Sequence, residues 1–456
     1  MNRRILHPFV LTAAVSLFIA TGARAGVWED EMRITDDAWT QYRSYIATAP
    51  DDTLYVAWPD WTDWEDTKIN LMRSTDRGHT WTGPLIVAQG LAYDNMELCA
   101  DENGVHLLLV EFYEDEEYEY KLLYYANSQD GGETFTNPIR VGDRQNIEML
   151  RFFSGGGTLF IYAQNYDHEN EIAYNYLYTS DDGVAWQEKE ILPGMTVQNP
   201  GFAFHDGVVH MAYGGFLVTP DIMYAYTDDA GFHWSVPVAV SQGAGTHSQL
   251  PQVAVDDEAI HVAWEDDRIE YFEIMYSRST DGGATWSSDV QLNDTYYGAR
   301  VKLLADEEGL HALWCQYHGD DGWPNSWGSG DYGIIWYKFS DDSGVTWTDE
   351  FRVSQNEDIP PIDLPDMGAN YIQLAEYGAG FCAMWQDKRD GNIDLYLRNS
   401  LLQECPADFD GDGDVDTADL LYLLAAWGTP DGDVDDDGDT DTADLLALLA
   451  AWGPCP

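Results

Sequence analysis

Short runs in which apolar and polar residues alternate recur along residues 26–402, punctuated by Gly, Asp, Asn and Pro. That is the strand-and-turn pattern of an all-β chain. Seven segments are more continuously apolar: Leu54–Trp58, Val105–Val110, Leu159–Ala163, Val208–Tyr213, Ile260–Trp264, Leu310–Trp314 and Gly380–Trp385. Each reads as the second strand of a repeating unit, preceded by an inner strand and followed by a loop, a third strand, a tight turn and a short fourth strand. Only the last fifty or so residues change period. There Leu420–Gly428 and Leu445–Gly453 carry apolar residues at helical spacing, each closed by a Gly suited to a helix C-cap.

The tight turn has a fixed form, Ser/Thr-x-Asp-x-Gly-x-x-aromatic. It runs from Ser279 to Trp286 and recurs from Ser74, Ser128, Thr179, Thr227 and Ser340, at intervals of 48 to 61 residues. A period of that size marks a repeat architecture. The chemistry suits a turn: Asp accepts from turn amides, Gly takes the unusual dihedral, and the aromatic plugs a neighbouring core. The seventh unit stops near Ser400 without its turn or fourth strand. Met32-Arg33-Ile34-Thr35 resembles the fourth strands Ile139-Arg140-Val141-Gly142 and Phe351-Arg352-Val353-Ser354, so the N-terminal strand is expected to complete the last unit. Such closure removes open sheet edges. The predicted fold is a seven-bladed β-propeller over residues 26–402.

The octamers resemble the Asp-box, or BNR repeat, of the sialidase-like β-propellers. The resemblance implies that the turns lie between third and fourth strands, on the face away from any active site. Family analogy alone favours six blades, the alternative to the seven counted here. In a propeller the inner strands line a central funnel, whose mouth is predicted to present Arg43, Asn95, Glu148, Asn199, Gln249, Arg300 and Asn370. Two loops bordering it carry tryptophans among polar residues, Trp61 with Trp64 and Trp323 with Trp327, suited either to stacking on sugar rings or to covering the rim. A sialidase would require three Arg around a carboxylate, a Tyr nucleophile paired with Glu, and an Asp. Arg43, Arg300 and Arg389 with Tyr297 and Glu148 or Glu265 can be assembled into such a set, although their spacing does not compel it. Comparing units separates scaffold from site: Trp264-Glu265-Asp266-Asp267-Arg268 recurs as Trp385-Gln386-Asp387-Lys388-Arg389, so its Asp and Arg are read as loop braces.

Composition narrows the partners. A net charge of −59 excludes nucleic acid and anionic membrane surfaces. Arg3-Arg4, the apolar run Ile5–Ala20 and Ala23-Arg24-Ala25 read as a secretory signal cleaved after Ala25, and no later stretch is apolar enough to span a membrane. The mature protein is therefore expected to be secreted or attached to the cell surface. Of five cysteines, Cys405 and Cys455 bracket the C-terminal stretch and are expected to pair; Cys99, Cys315 and Cys382 sit in apolar strands as free thiols, with a Cys315–Cys382 bridge as the alternative.

Residues 403–456 hold fourteen Asp and no Lys or Arg. Asp408, Asp410, Asp412, Asp414, Asp416 and Asp419 fall at positions 1, 3, 5, 7, 9 and 12 of a twelve-residue calcium loop with Gly413 at the turn, position 7 offering its carbonyl. Asp433, Asp435, Asp437, Asp439, Asp441 and Asp444 repeat the pattern around Gly438. The module resembles a type I dockerin of the variant with terminal cysteines. That resemblance implies two calcium ions and a cohesin-like scaffold partner recognised through loop positions 10 and 11, Thr417-Ala418 and Thr442-Ala443. The expected function is glycan recognition or processing outside the cytoplasm, with the tail as the attachment. An exo-sialidase or other glycoside hydrolase, and a non-catalytic protein-interaction platform, are the alternatives.

Overall fold

The computed structural model describes residues 27–36, 43–60, 67–91, 93–114, 119–167, 172–215, 221–243, 247–268, 272–294, 298–306, 308–318, 332–355, 372–378, 380–387, 389, 393–401, 407, 409, 414–429, 432–434 and 438–454. Two compact units emerge, Ala25–Leu402 and a C-terminal one beginning at Gln403.

The first unit is seven antiparallel sheets, six of which are four consecutive strands in simple order. Blade 5 is representative: Ser248–Val255, Ile260–Asp266, Glu273–Ser279 and Val290–Gln291. The seventh sheet is built from both ends of the unit. Gln373–Tyr377, Gly380–Asp387 and Asp394–Leu401 pair in order, and Val27–Trp28 and Met32–Arg33 add to the outer edge of Asp394–Leu401. Arg33 secures the join through Asp394 at 2.7 Å, and the Ile34 amide donates to the Leu395 carbonyl at 2.8 Å. Seven blades, not six, close the ring.

The octamer turns explain the repeat. In the turn at Ser279, the hydroxyl donates to Asp281 Oδ1 at 2.8 Å and accepts from the Gly283 amide at 2.9 Å. Asp281 also accepts from the Thr285 amide and hydroxyl at 2.8 and 2.6 Å. Gly283 has a φ of +87°, and a Cβ there would stand 2.2 Å from the ring of Tyr224 in the preceding blade. The turn tryptophans pack edge-on against those same tyrosines: Trp286 on Tyr224, Trp186 on Tyr125 and Trp347 on Tyr276, at 5.2–5.3 Å. Each octamer therefore clamps its blade to the one before. One register differs from the sequence reading. The third turn is organised by Ser180 and Asp182, not by Thr179 and Asp181, and reaches Gly183 one residue sooner.

Buried beneath these turns, His106, His210, His261 and His311 each face a tyrosine at 2.7–2.9 Å. His106, His261 and His311 also meet Asp101, Asp256 and Asp306 at 2.9–3.0 Å. Blade 4 has His205 at that aspartate's place, and burial with His205 nearby lowers the His210 pKa to about 4. A triad recurring at one blade position is scaffold.

The C-terminal unit contains helices α1 (Thr417–Ala425) and α2 (Thr442–Ala450). Asp416 and Asp441 cap them, and the buried carboxylates of Asp419 and Asp444 reach back to the capping amides. Its core is small: Ala407, Val415, Leu423 and Leu448 are buried. The leucines divide between core and solvent: Leu423 and Leu448 are buried, whereas Leu421 and Leu446 are 67% and 66% exposed. Cys99, Cys315 and Cys382 carry no disulfide. No helix among the described residues is long and apolar enough to cross a membrane.

Candidate functional site

The inner strands begin irregularly. Register slips past Glu148 in blade 3, Asn199 and Pro200 in blade 4, Leu250 and Pro251 in blade 5, and Arg300 and Val301 in blade 6. Two looped-out residues cannot keep extended geometry, so Asn199, Leu250 and Arg300 sit at φ between 46° and 58°, unfavourable for side chains with a Cβ; Arg43, ahead of the inner strand of blade 1, has a φ of 51°. These bulges hold three of the mouth residues named from sequence, Glu148, Asn199 and Arg300. Arg300 and Glu148 are exposed, while Arg43, Asn95, Asn199 and Gln249 are half-buried. Asn95 spends its side-chain oxygen on the Met96 amide.

The structure brings three of the predicted residues together. Glu265, buried at the end of the second strand of blade 5, accepts from the Arg300 amide at 2.6 Å and from Gln249 Nε2 at 3.0 Å. Burial raises its pKa, opposed by the Arg300 charge. The same strand position holds Gln164 in blade 3 and Gln386 in blade 7, which donate to the Val197 carbonyl and the Ser44 hydroxyl. In each case the side chain reaches the start of the next blade's inner strand, Arg300 within it and Val197 and Ser44 one residue before it. Glu265 makes this cross-blade contact with an acid where the other two use an amide.

Arg389 goes elsewhere. It pairs with Asp387 and Glu31, as Arg268 pairs with Asp266 at 2.7 Å and Asp289 at 2.6 Å. Both arginines brace loops, and a three-arginine set using Arg389 is not assembled among the described residues. Tyr297, Asn370, Trp61, Trp64, Trp323 and Trp327 lie outside the described residues.

Deeper in the channel is a group that sequence reasoning missed. Glu97, Arg151 and Lys302 share one register position on the inner strands of blades 2, 3 and 6, opposite Leu108, Tyr162 and Leu313. Glu97 accepts from the Phe152 amide and lies 4.0 Å from Arg151. Burial pushes the Glu97 pKa up to about 7, against the pull of Arg151. Burial, then Arg151, lowers that of Lys302 to about 8. The remaining blades carry Tyr45, Gly201, Gln252 and Gln373 at this level. Gly201 is required, because a Cβ there would lie 2.5 Å from the Pro251 carbonyl. The unit-to-unit comparison would have exposed the charged trio had it been made two or three residues further along each inner strand. At the opposite end of the inner strands, a cavity of about 520 Å³ is lined by Thr48, Asp52, Asp101, Ser154 and Glu376 among others.

In the C-terminal unit, the carboxylate of Asp433 accepts from the Gly438 amide at 2.8 Å, winding the second loop back on itself. Asp419 and Asp444 each take two loop amides, Phe409 and Asp416 for the first at 2.7 and 2.8 Å, Val434 and Asp441 for the second at 2.6 Å each. No cluster of three metal-ligating side chains is present among the described residues. Asp408, Asp410, Asp412, Asp435, Asp437, Cys405 and Cys455 lie outside them, as does the side chain of Asp414. The donor set fits a hard cation: the sequence places aspartates at positions 1, 3, 5, 7, 9 and 12 of each twelve-residue loop, and residues 403–456 contain no Lys, Arg or His to balance them. Thr417, Ala418, Thr442 and Ala443 are exposed.

Comparison with known proteins agrees with the architecture. No protein-family model matches the chain. Over 249 residues it is 24% identical to the anhydrosialidase of Macrobdella decora, a span of 50% of this chain and 32% of that protein. Among solved structures it is similar to a protein of unknown function from Dyadobacter fermentans, with a TM-score of 0.50 and 13% identity over 82% of this chain and 98% of that one. It is also similar to a polysaccharide lyase, an ulvan lyase bound to -[GlcA(1-4)Rha3S]-, with a TM-score of 0.53 and 11% identity over 82% of this chain and 96% of that one. The chain is an all-β seven-bladed propeller with a sialidase homologue.

Proposed function

We propose that the propeller recognises a glycan at the channel mouth outside the cytoplasm, and that the C-terminal unit attaches it to a scaffold or surface when calcium is bound. One observation carries the first part: Glu265 holds Arg300 and Gln249 together at the mouth, on backbone strained in several blades, next to a channel bearing Arg151 and Lys302. A residue held in a costly conformation by a buried acid is a preorganised contact. The sugar-active proteins that share the fold support the choice of ligand class.

Recognition is favoured over hydrolysis because both Glu265 oxygens are already engaged as acceptors. The test is a glycan-array and fluorogenic-glycoside screen of the full chain. Binding without turnover supports the proposal, turnover makes the protein a glycosidase, and silence in both overturns the carbohydrate reading.

In the C-terminal unit, the twelve loop aspartates from Asp408 to Asp444 would hold two calcium ions, and Thr417-Ala418 and Thr442-Ala443 would meet a cohesin-like partner. Cys405 and Cys455 would close the unit. Calcium supplies the positive charge that lets so many carboxylates converge, so binding and folding are coupled. Removing it with chelator should lower the far-ultraviolet helical signal of the full chain, and restoring it should recover the signal. No change in either direction would remove the calcium assignment.

A further inference from the structure

We infer that the central channel seats an oxyanion, a carboxylate or sulfate group, between Arg151 of blade 3 and Lys302 of blade 6. For what the anion is attached to, the inference rests on the glycan reading; the seat itself does not.

The chain has 22 Lys and Arg against 81 Asp and Glu, so cations are scarce. Arg151, Arg300 and Lys302 nonetheless occur on adjoining levels of the inner strands. Arg151 is fixed by its own scaffold: Nε donates to the Pro200 carbonyl at 3.0 Å and Nη1 to the Leu150 carbonyl at 2.6 Å. That grip leaves Nη2 without a hydrogen-bond partner among the described residues. The side chain as a whole is 34% exposed. Lys302 makes no hydrogen bond or ion pair with any described residue, although it lies within the electrostatic reach of Arg151, Glu97 and Arg300. A lysine serving only to hold the ring together would be paired, as Lys338 is with Asp294 at 3.0 Å. A half-buried ammonium within electrostatic reach of other cations is unfavourable until a counter-anion arrives.

Glu97 is the one acid in the group, and its carboxyl is committed to the Phe152 amide. It cannot neutralise both cations. With Glu97 ionised the trio is net positive by one charge, and with Glu97 protonated by two. Arg151 is held by its own carbonyl contacts and Lys302 is unpaired, which suits a planar or tetrahedral oxyanion taking two or more donors.

The test is calorimetric titration of the calcium-loaded full chain with sulfate, with a galacturonate oligosaccharide, with a sulfated oligosaccharide and with a neutral one. Lys302→Met removes an unpaired group and should fold normally, as a thermal melt will show. It is expected to weaken sulfate or acidic-saccharide binding by about tenfold or more. Glu97→Gln keeps the acceptor for Phe152 and should strengthen anion binding at pH above about 7, where the native acid is charged. Sulfate binding that is lost in Lys302→Met, with no saccharide bound by either protein, leaves the seat standing and overturns the glycan reading. Neutral and acidic saccharides bound alike by both proteins leave the glycan reading standing and overturn the seat. Wild-type protein that binds no anion at all also overturns it.

Discussion

Glu265 meets Arg300 and Gln249 in a place where an amide serves two other blades, and this makes its role separable by substitution. Glu265→Gln retains an acceptor for the Arg300 amide, and Gln249 can turn its own amide over to match. Stability and ligand binding should both be nearly unchanged. Glu265→Ala leaves a buried amide unmet and should cost about 1–3 kcal/mol in denaturant unfolding. Loss of binding in the Gln variant would show that the charge, and not the brace, matters. His210 offers a second residue-level test. In the unfolded chain it titrates near the ordinary imidazole value of 6.5, whereas burial holds it neutral in the fold down to about 4. Its contribution is therefore intact above pH 6.5, falls as pH drops between the two values, and is fully lost below about 4, a difference of roughly 3 kcal/mol. His210→Phe, the residue found as Phe160 at the same place in blade 3, should flatten that limb of the stability–pH curve after a fixed loss from Tyr224. At this scale the sequence was only partly legible. Repetition correctly marked Asp266, Arg268, Asp387 and Arg389 as braces, because a brace must recur wherever its loop recurs. Glu97, Arg151 and Lys302 stayed hidden because each belongs to a different unit, and a bulge shifts which residue of an inner strand reaches the lumen.

Elements behave as the turns dictate. Gly282 and Gly283 are neighbours in one octamer, both with positive φ, but a Cβ at Gly282 meets nothing within 4 Å while one at Gly283 meets Tyr224 at 2.2 Å. Gly282→Ala should cost about 1 kcal/mol, the backbone term alone. Gly283→Ala adds a collision with a buried ring and should cost about 2–4 kcal/mol by thermal or denaturant unfolding. Equal losses would mean that the clamp between blades is soft. The strands and turns were readable in the sequence because apolar alternation and turn chemistry are local. The third turn was misread by one residue since Thr179-Ser180 and Asp181-Asp182 offer two frames, and only the path to Gly183 chooses between them. Helical spacing likewise predicted α1 and α2 but not how their leucines divide. A core of so few residues buries one row and leaves Leu421 and Leu446 outside.

At the scale of the whole propeller, stability depends on the seam in blade 7. Deleting residues 27–34 removes the strands paired to Asp394–Leu401 together with the Arg33–Asp394 ion pair. The ring should then open at that blade, with a lower melting temperature and rapid protease cutting within residues 372–401. An unchanged melting profile would show that the remaining six blades carry the stability unaided. The seam also sets a schedule for folding. Arg33 and Asp394 are 361 residues apart, so the closing contact is nearly the longest-range one the propeller can make. Six blades can assemble while the chain is still being extended, but the first strand must remain unpaired until the last has emerged. During that interval both sheet edges are available to other chains. The nascent protein is therefore most prone to domain exchange and aggregation just before Asp394–Leu401 emerges, and a circular permutant that moves the seam to another blade would move the vulnerable edge with it.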